Sequence, residues 1–446
     1  MRPSRLLAIA LVLAGLPATR AFAQESRGLA SLLLNFFSPD NPVVLAPNPD
    51  PTRSHAAHFR SQTGAQGVLQ GLNAGIAAQI STFPIGSSSA GFTYSFDEGL
   101  GVYNRTTQSL GPIFTERPLT AGKGKFTFGV NYQQASWDSF EGRDLDSGEM
   151  ALYLTHEDTD GSGTPTSLFF EGDLIRSNLR IDLETKTTVL YANYGLSERF
   201  DLSVAVPFQD VTLSANIDAT VERVATGETS PIHRFLNGTP TDTLEPQQGS
   251  ANGIGDILIR GKYNFLRSSG GGLAAFVDLR LPTGDEDNLL GSGATQTKLS
   301  LVGAGNPNGR FLPRGSLGYT FSSGGSEFTG DLPNEFNYTA GFDIVVHSRV
   351  TLTADFIGRT LIDGTKLEDK TSTFRYSTQA APTTILETTR TELTTTTGNV
   401  NLMLASAGIK INPVGHLLFV GNVLFKVGDS GLQADIIPTF GLGYTF

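Results

Sequence analysis

Near its end the chain alternates apolar and polar residues with a period of two. Leu432, Ala434, Ile436, Pro438, Phe440, Leu442, Tyr444 and Phe446 interleave with Gln433, Asp435, Ile437, Thr439, Gly441, Gly443 and Thr445. Successive strand residues point to opposite faces, so the pattern predicts a β-strand with one oily, aromatic face and one polar or small face. The same alternation recurs at Phe126, Phe128, Val130 and Tyr132, at Leu179, Ile181 and Leu183, and at Leu202, Val204, Val206 and Phe208. After that last run the phase slips at Asp210 and resumes as Val211, Leu213, Ala215 and Ile217, which predicts either a β-bulge or a strand leaving a bilayer. Further candidate strands cover residues 257–265, 273–281, 297–304, 317–321, 336–346, 350–360, 400–411 and 417–427. With the terminal strand this makes about twelve, an even count of the kind barrels of this type require.

The connections carry a second, independent pattern. Short ones at 195–200, 267–272, 347–349 and 412–415 alternate with long polar ones at 138–177, 222–252, 285–296 and 362–397. Short turns at one end and long loops at the other mark a transmembrane antiparallel β-barrel, with both barrel ends on the periplasmic side. Composition agrees. The chain holds 51 Gly and 29 Phe in 446 residues, but one Trp and no Cys, and only 17% of its residues are charged. The absence of cysteine removes disulfides, thiol nucleophiles and cysteine-ligated zinc. A mean hydropathy of -0.08 and the lack of any later run of 18 apolar residues exclude a bundle of spanning helices.

Arg2 and Arg5 precede the apolar run Leu6 to Leu16, and Ala21-Phe22-Ala23 offers a small-x-small cleavage site, so residues 1–23 read as a secretory signal peptide. Removing it takes the formal charge from -11 to -14 and argues against a nucleic-acid partner. Residues 24–122 are rich in Gly, Pro and Ser, with an amphipathic helix expected near 68–80. They are expected either to plug the lumen or to form a periplasmic extension whose strand pair near 76–96 would raise the strand count to fourteen. The barrel itself is expected over 123–446.

The run Leu279-Arg280-Leu281-Pro282-Thr283-Gly284-Asp285-Glu286-Asp287-Asn288-Leu289-Leu290-Gly291-Ser292-Gly293, preceded by Gly255-Asp256-Ile257 and Gly261-Lys262-Tyr263, resembles the outer-membrane family labelled "putative MetA-pathway of phenol degradation". That family is similar to the long-chain fatty acid outer-membrane transporters, so the resemblance implies a barrel that moves small hydrophobic or aromatic compounds. The ending Tyr444-Thr445-Phe446 resembles the C-terminal signal by which barrel assembly machinery reads a closing strand, with Tyr444 and Phe446 as its aromatic residues.

If the apolar parity meets lipid, the opposite parity lines the lumen. It includes Lys125, Arg180, Asp182, Glu184, Lys186, Asp256, Arg260, Lys262, Asp278, Arg280, Asp343, Asp355, Arg359 and Asp435. Acids and bases are interleaved, so cross-barrel ion pairs are expected rather than a field of one sign; some of these residues would form a constriction or hold a plug. Leu258, Phe276, Ile357 and Leu418 share this parity and would touch an oily substrate.

Catalytic motifs are weak. His55-x-x-His58 follows Pro47, Pro49 and Pro51 and reads as loop rather than metal site. Gly428-Asp429-Ser430-Gly431 reads as a hairpin turn. The stretch Glu157 to Gly163 looks like half a calcium loop without its distal Glu. The expectation is an exported outer-membrane channel for passive uptake, without enzyme activity, metal or cofactor. Its partners would be membrane lipid, lipopolysaccharide, the assembly machinery and a small-molecule substrate. A non-transporting barrel with a structural, adhesive or surface-binding role is the alternative.

Overall fold

The computed structural model describes residues 28–38, 41–47, 59–60, 63–87, 91–97, 99–158, 168–268, 270–327 and 330–446. The expected signal peptide, His55, His58 and residues 159–163 of the acidic stretch lie outside these.

Twelve antiparallel strands close into a barrel: β1 Phe126–Trp137, β2 Leu174–Gly195, β3 Phe200–Glu222, β4 Ile257–Ser268, β5 Gly271–Leu281, β6 Ala294–Gly305, β7 Phe311–Ser326, β8 Glu335–His347, β9 Val350–Thr378, β10 Ala381–Ile411, β11 Leu417–Lys426 and β12 Ile436–Thr445. Each pairs with its neighbour in sequence, and β12 pairs with β1 through Phe440↔Tyr132 and Tyr444↔Phe128 to shut the ring. Closure leaves no strand edge to be satisfied by lipid, the condition for a sheet to cross a bilayer. Phe128, Leu202, Leu299, Leu317, Phe419 and Phe440 point outward and are exposed, forming an apolar belt around the wall.

The wall is uneven in height. A spanning strand needs ~9–11 residues, which is what β11 and β12 have with 10 each. Strands β2 and β3 have 22 and 23 residues, and β9 and β10 have 29 and 31. The stretch expected as a long loop at 362–397 is therefore a tall hairpin, zipped from Gly364↔Gly398 to Thr378↔Ala381. Its alternation escapes detection because threonine serves either face.

The phase slip at Asp210 is not a bulge, since the β2–β3 register runs unbroken from Leu174↔Glu222 to Gly195↔Asp201. Instead the environment changes along one straight strand. Below Asp210 the outward Leu202, Val204, Val206 and Phe208 belong to the apolar belt. Above it the inward Val211, Leu213, Ala215 and Ile217 are fully buried in a core that rises beyond the belt.

That core is filled from inside by the N-terminal residues. Two helices, α1 Leu32–Asn35 and α2 Thr63–Ser81, contribute Leu33, Leu69, Leu72 and Ile76, which pack with Leu179, Ile181, Leu183 and Ile217 of the walls. In α2 the buried Leu69, Leu72, Ile76 and Ile80 recur at three- and four-residue spacing, the apolar stripe of a helix that docks on one side. The close approach of α2 needs glycine. A Cβ on Gly75 would sit 2.5 Å from the Phe140 ring, and one on Gly71 would sit 2.4 Å from Thr395 of the tall hairpin.

Among the described residues, no strand pair from 76–96 joins the ring. The described residues there are the end of α2, a short irregular stretch at 83–87 and the first strand of a separate two-stranded sheet, Tyr94–Asp97 with Val102–Arg105.

Candidate functional site

Pro84 cannot continue a helix, and α2 stops just before it, at Ser81. Its last turn is closed by its own hydroxyls, Ser81 Oγ donating to Ala77 O (2.8 Å) and Thr82 Oγ1 to Ala78 O (2.6 Å). Two barrel arginines then cap the end. Arg280 Nη1 donates to Ser81 O (2.6 Å), and Arg359 donates to Thr82 O (2.9 Å) and Thr82 Oγ1 (2.7 Å). Carbonyls left unpaired at a helix C-terminus carry partial negative charge, so two guanidiniums suit the place.

Beyond Thr82, residues 107–121 run inside the barrel as a strap pinned to the walls. Ser109 donates to Asp343 (2.5 Å), the Phe114 amide and Thr115 hydroxyl donate to Asp355 (3.2 and 2.7 Å), and the Ala121 amide donates to Asp201 (3.0 Å). Lys410 Nζ reaches Pro112 O, and Asn264 Nδ2 donates to Pro118 O (2.8 Å). Glu116 is the centre of the arrangement, accepting from Ser87 (2.9 Å), Arg260 and Lys262 (3.5 Å).

The wall charges also pair with each other. Arg260 forks onto Asp278 opposite it in the β4–β5 ladder (2.5 and 2.7 Å), Arg359 forks onto Glu335 (2.6 and 3.1 Å), and Arg314 bridges Asp343 and Asp355 (2.5 Å each). Bidentate guanidinium–carboxylate pairs are the geometry in which buried charge is best tolerated.

Between the strap and the walls of β4–β9 lies a cavity of about 120 Å³. Phe114, Leu258, Phe276 and Ile357 supply its apolar surface. Ser300, Thr320, Asn337 and Thr339 supply hydroxyls and an amide, and Arg260, Arg280, Lys298 and Arg359 the positive charges, with Asp278 and Glu335 opposite. An apolar wall with a few convergent polar groups is the usual make-up of a small-molecule site.

Of the lumen candidates, this cavity gathers Arg260, Asp278, Arg280 and Arg359. Lys262, Asp343 and Asp355 are buried lower down, against the strap. Asp256 is buried as a tie for the loop after β5, accepting from the Gly284 amide (3.1 Å) and from Ser292 N and Oγ (2.9 and 2.6 Å).

Others lie elsewhere. Arg180, Asp182, Glu184 and Lys186 fall on the outer parity of β2, because the oily residues between them face the α2 core; Arg180 pairs with Asp218 (3.0 Å) on the outside of the wall. Lys125 precedes β1 and sits over the rings of Tyr94 and Tyr103 at the short-turn end. Asp435 is exposed and pairs with Lys426 (2.7 Å). Leu418 is buried with Phe92 and Leu110 rather than against the cavity.

Lys298, Glu335 and Arg314 were missed. The parity of Thr297, Leu299 and Leu301 would have exposed Lys298; Glu335 and Arg314 lie just outside the strand limits read from hydrophobicity.

Gly428-Asp429-Ser430-Gly431 forms part of the connection between β11 and β12, with Gly428 and Gly431 at positive φ. Tyr444 and Phe446 lie at the seam. The Phe446 amide donates to Phe126 O (2.7 Å), its ring stacks edge-on with Tyr444 at 4.7 Å, and Tyr444 packs beside His416.

No curated protein matches the chain. Among solved structures it is similar to an outer membrane channel from Pseudomonas putida F1 (11% identity over 74% of this chain and 98% of that one, TM-score 0.44). It is also similar to a FadL homologue of Pseudomonas aeruginosa (10%, 72% and 89%, TM-score 0.30) and to the translocator domain of the autotransporter NalP from Neisseria meningitidis (12%, 73% and 89%, TM-score 0.31). Residues 157–378, from the first outer loop to the end of β9, match the family described as "Putative MetA-pathway of phenol degradation", the family that the turn after β5 resembles.

Proposed function

We propose that this protein is an outer-membrane channel for passive entry of small hydrophobic or aromatic compounds, with residues 63–121 acting as a plug inside the barrel formed by 123–446. The observation that carries the proposal is the cavity between strap and wall. Its rings and aliphatic side chains suit an apolar body, while the row of hydroxyls and amides suits one or two polar substituents. Phe114 and Glu116 of the strap line it too, so passage requires the strap to shift. The family description, which names phenol degradation, agrees with an aromatic cargo.

In this reading the outward-facing charges of β2, including Arg180, Asp182 and Lys186, stand above the apolar belt at the level of lipopolysaccharide headgroups. Residues 1–23 are removed on export, and the Tyr444–Phe446 seam is what the assembly machinery recognises. No step calls for catalysis.

The test is uptake into liposomes holding the purified protein, with phenols, fatty acids and sugars at equal concentration. Entry of phenols or fatty acids above that of sugars is expected. Equal exclusion of all three, with and without residues 24–100, overturns the channel reading.

A further inference from the structure

Charged groups are fully paired in one part of the interior and not in another. Around Glu116, the cations Arg260, Lys262 and Lys298 face the carboxylates Glu116, Asp278 and Asp201. Closer to the short turns, Arg117, Arg314 and Lys410 stand with Asp343 and Asp355, and Glu116 acts on Arg117 as well. Arg314 takes both aspartates, and Lys410 rests on a carbonyl. Arg117 is left with no ion pair of its own among the described residues.

Arg117 is 6% exposed. Its Nη2 donates to Gly91 O (2.5 Å), but Nε and Nη1 meet no acceptor among the described residues, and neither does Arg314 Nε. A buried donor without a partner is costly, more so when charged. Burial pulls the Arg117 guanidinium down to about 10, with Asp343 and Glu116 opposing the fall and Arg105 and Arg314 adding to it.

Arg117 and Arg314 line one small cavity of about 30 Å³, bounded by Pro118 of the strap and by Gly272, Ala304 and Pro307 at the short-turn ends of the strands. Asp343 lines it as well, with Oδ1 held by Arg314 and Oδ2 by Ser109, so that its charge is already matched. A water-sized occupant needs roughly 10–15 Å³, so the space admits one monatomic guest and excludes an aromatic ring.

We propose that this cavity is a binding site for one small monovalent anion of the halide class, held between Arg117 and Arg314 and fastening the strap to the wall. The site is independent of what the channel carries. It accounts for the orphaned N–H groups, and two guanidiniums on one small space favour an anion over a water molecule.

Bromide is the probe. Crystals of the full chain grown in gluconate and soaked in sodium bromide are expected to show an anomalous peak between the two guanidiniums. In detergent, the wild-type Tm is expected to be higher in sodium chloride than in sodium gluconate of equal ionic strength, and Arg117→Gln is expected to lose that difference. Should the variant fail to fold, the bromide peak in the wild type decides alone. A wild-type map with an ordered strap and no anomalous signal at this position overturns the proposal, as does a chloride effect that persists undiminished in folded Arg117→Gln.

Discussion

Arg359 and Thr82, 277 residues apart in the chain, are joined by two hydrogen bonds from one guanidinium, at 2.9 Å to the carbonyl and 2.7 Å to the hydroxyl. Because Arg359 also forks onto Glu335, the end of α2 is tied to a wall pair that is itself internally satisfied. Arg280 supplies the second tie. Weakening these ties while leaving the Arg359–Glu335 pair intact tests whether α2 blocks the pore. Thr82→Val with Arg280→Gln removes charge-assisted bonds each worth ~1.5–3 kcal/mol. Single-channel conductance in planar bilayers is expected to rise, with frequent openings where the wild type is quiet; unchanged conductance in the folded double variant would show that the pore is sealed elsewhere.

Neighbouring residues of β6 test which face meets lipid. Leu299 is 48% exposed on the belt, whereas Ser300 lines the cavity. An arginine facing hydrocarbon near mid-bilayer costs ~2–4 kcal/mol. Leu299→Arg is therefore expected to lower the amount of folded barrel, read by its heat-modifiable gel mobility. Ser300→Arg should assemble more fully and obstruct uptake instead.

The outer core offers a contrast between positions that sequence alone confuses. Ile217→Ala removes a fully buried side chain from the core shared with the N-terminal residues and is expected to cost ~2–5 kcal/mol. Asp182→Ala, on the exposed outer face, should fall within ~0.5 kcal/mol of wild type. Urea titration followed at Trp137 measures both, and equal losses would contradict the placement of the two side chains.

How far this could be read in advance differs along the chain. All twelve strands are visible in the alternation because each meets an apolar medium on one face, lipid for most of them. The lumen candidates on β2 came out inverted for the same reason. Leu179, Ile181 and Leu183 look like lipid-facing residues, yet the oily medium they meet is the core filled by the N-terminal residues, inside the ring. Period two reports that one face is apolar and is silent about which side of the wall supplies the apolar surroundings. Arg260, Asp278, Arg280 and Arg359 lie where lipid is truly outside, and there the charged parity points inward. Glu116, which organises the strap, carries no signal of its own because residues 107–121 have no regular repeat.

The glycines of α2 give a further test. Gly71→Leu places a side chain where Thr395 already sits, an overpacking that costs ~1–3 kcal/mol. The hairpin of β9 and β10 is expected to swing away, breaking the Arg390–Glu222 bridge (2.6 Å) and speeding tryptic cleavage after Arg390. Cleavage at the wild-type rate would mean that helix and hairpin are not coupled.

At the seam, Phe446→Ala deletes the ring that stacks on Tyr444 and faces Phe126 at 5.9 Å. A marked fall in folded barrel with export intact is expected from membrane fractionation; normal levels would remove the seam aromatics from the account of assembly.

The strap lies between α2 and β1 in sequence and inside the closed ring in space, so the ring cannot be finished first and filled afterwards without threading a helix through its own bore. The cheaper history has the early residues waiting at the mouth while the later strands wrap them, with the last zip of β12 onto β1 locking the guest indoors. A barrel born around its own stopper would never stand open during biogenesis, and the cell envelope would stay sealed while it is made.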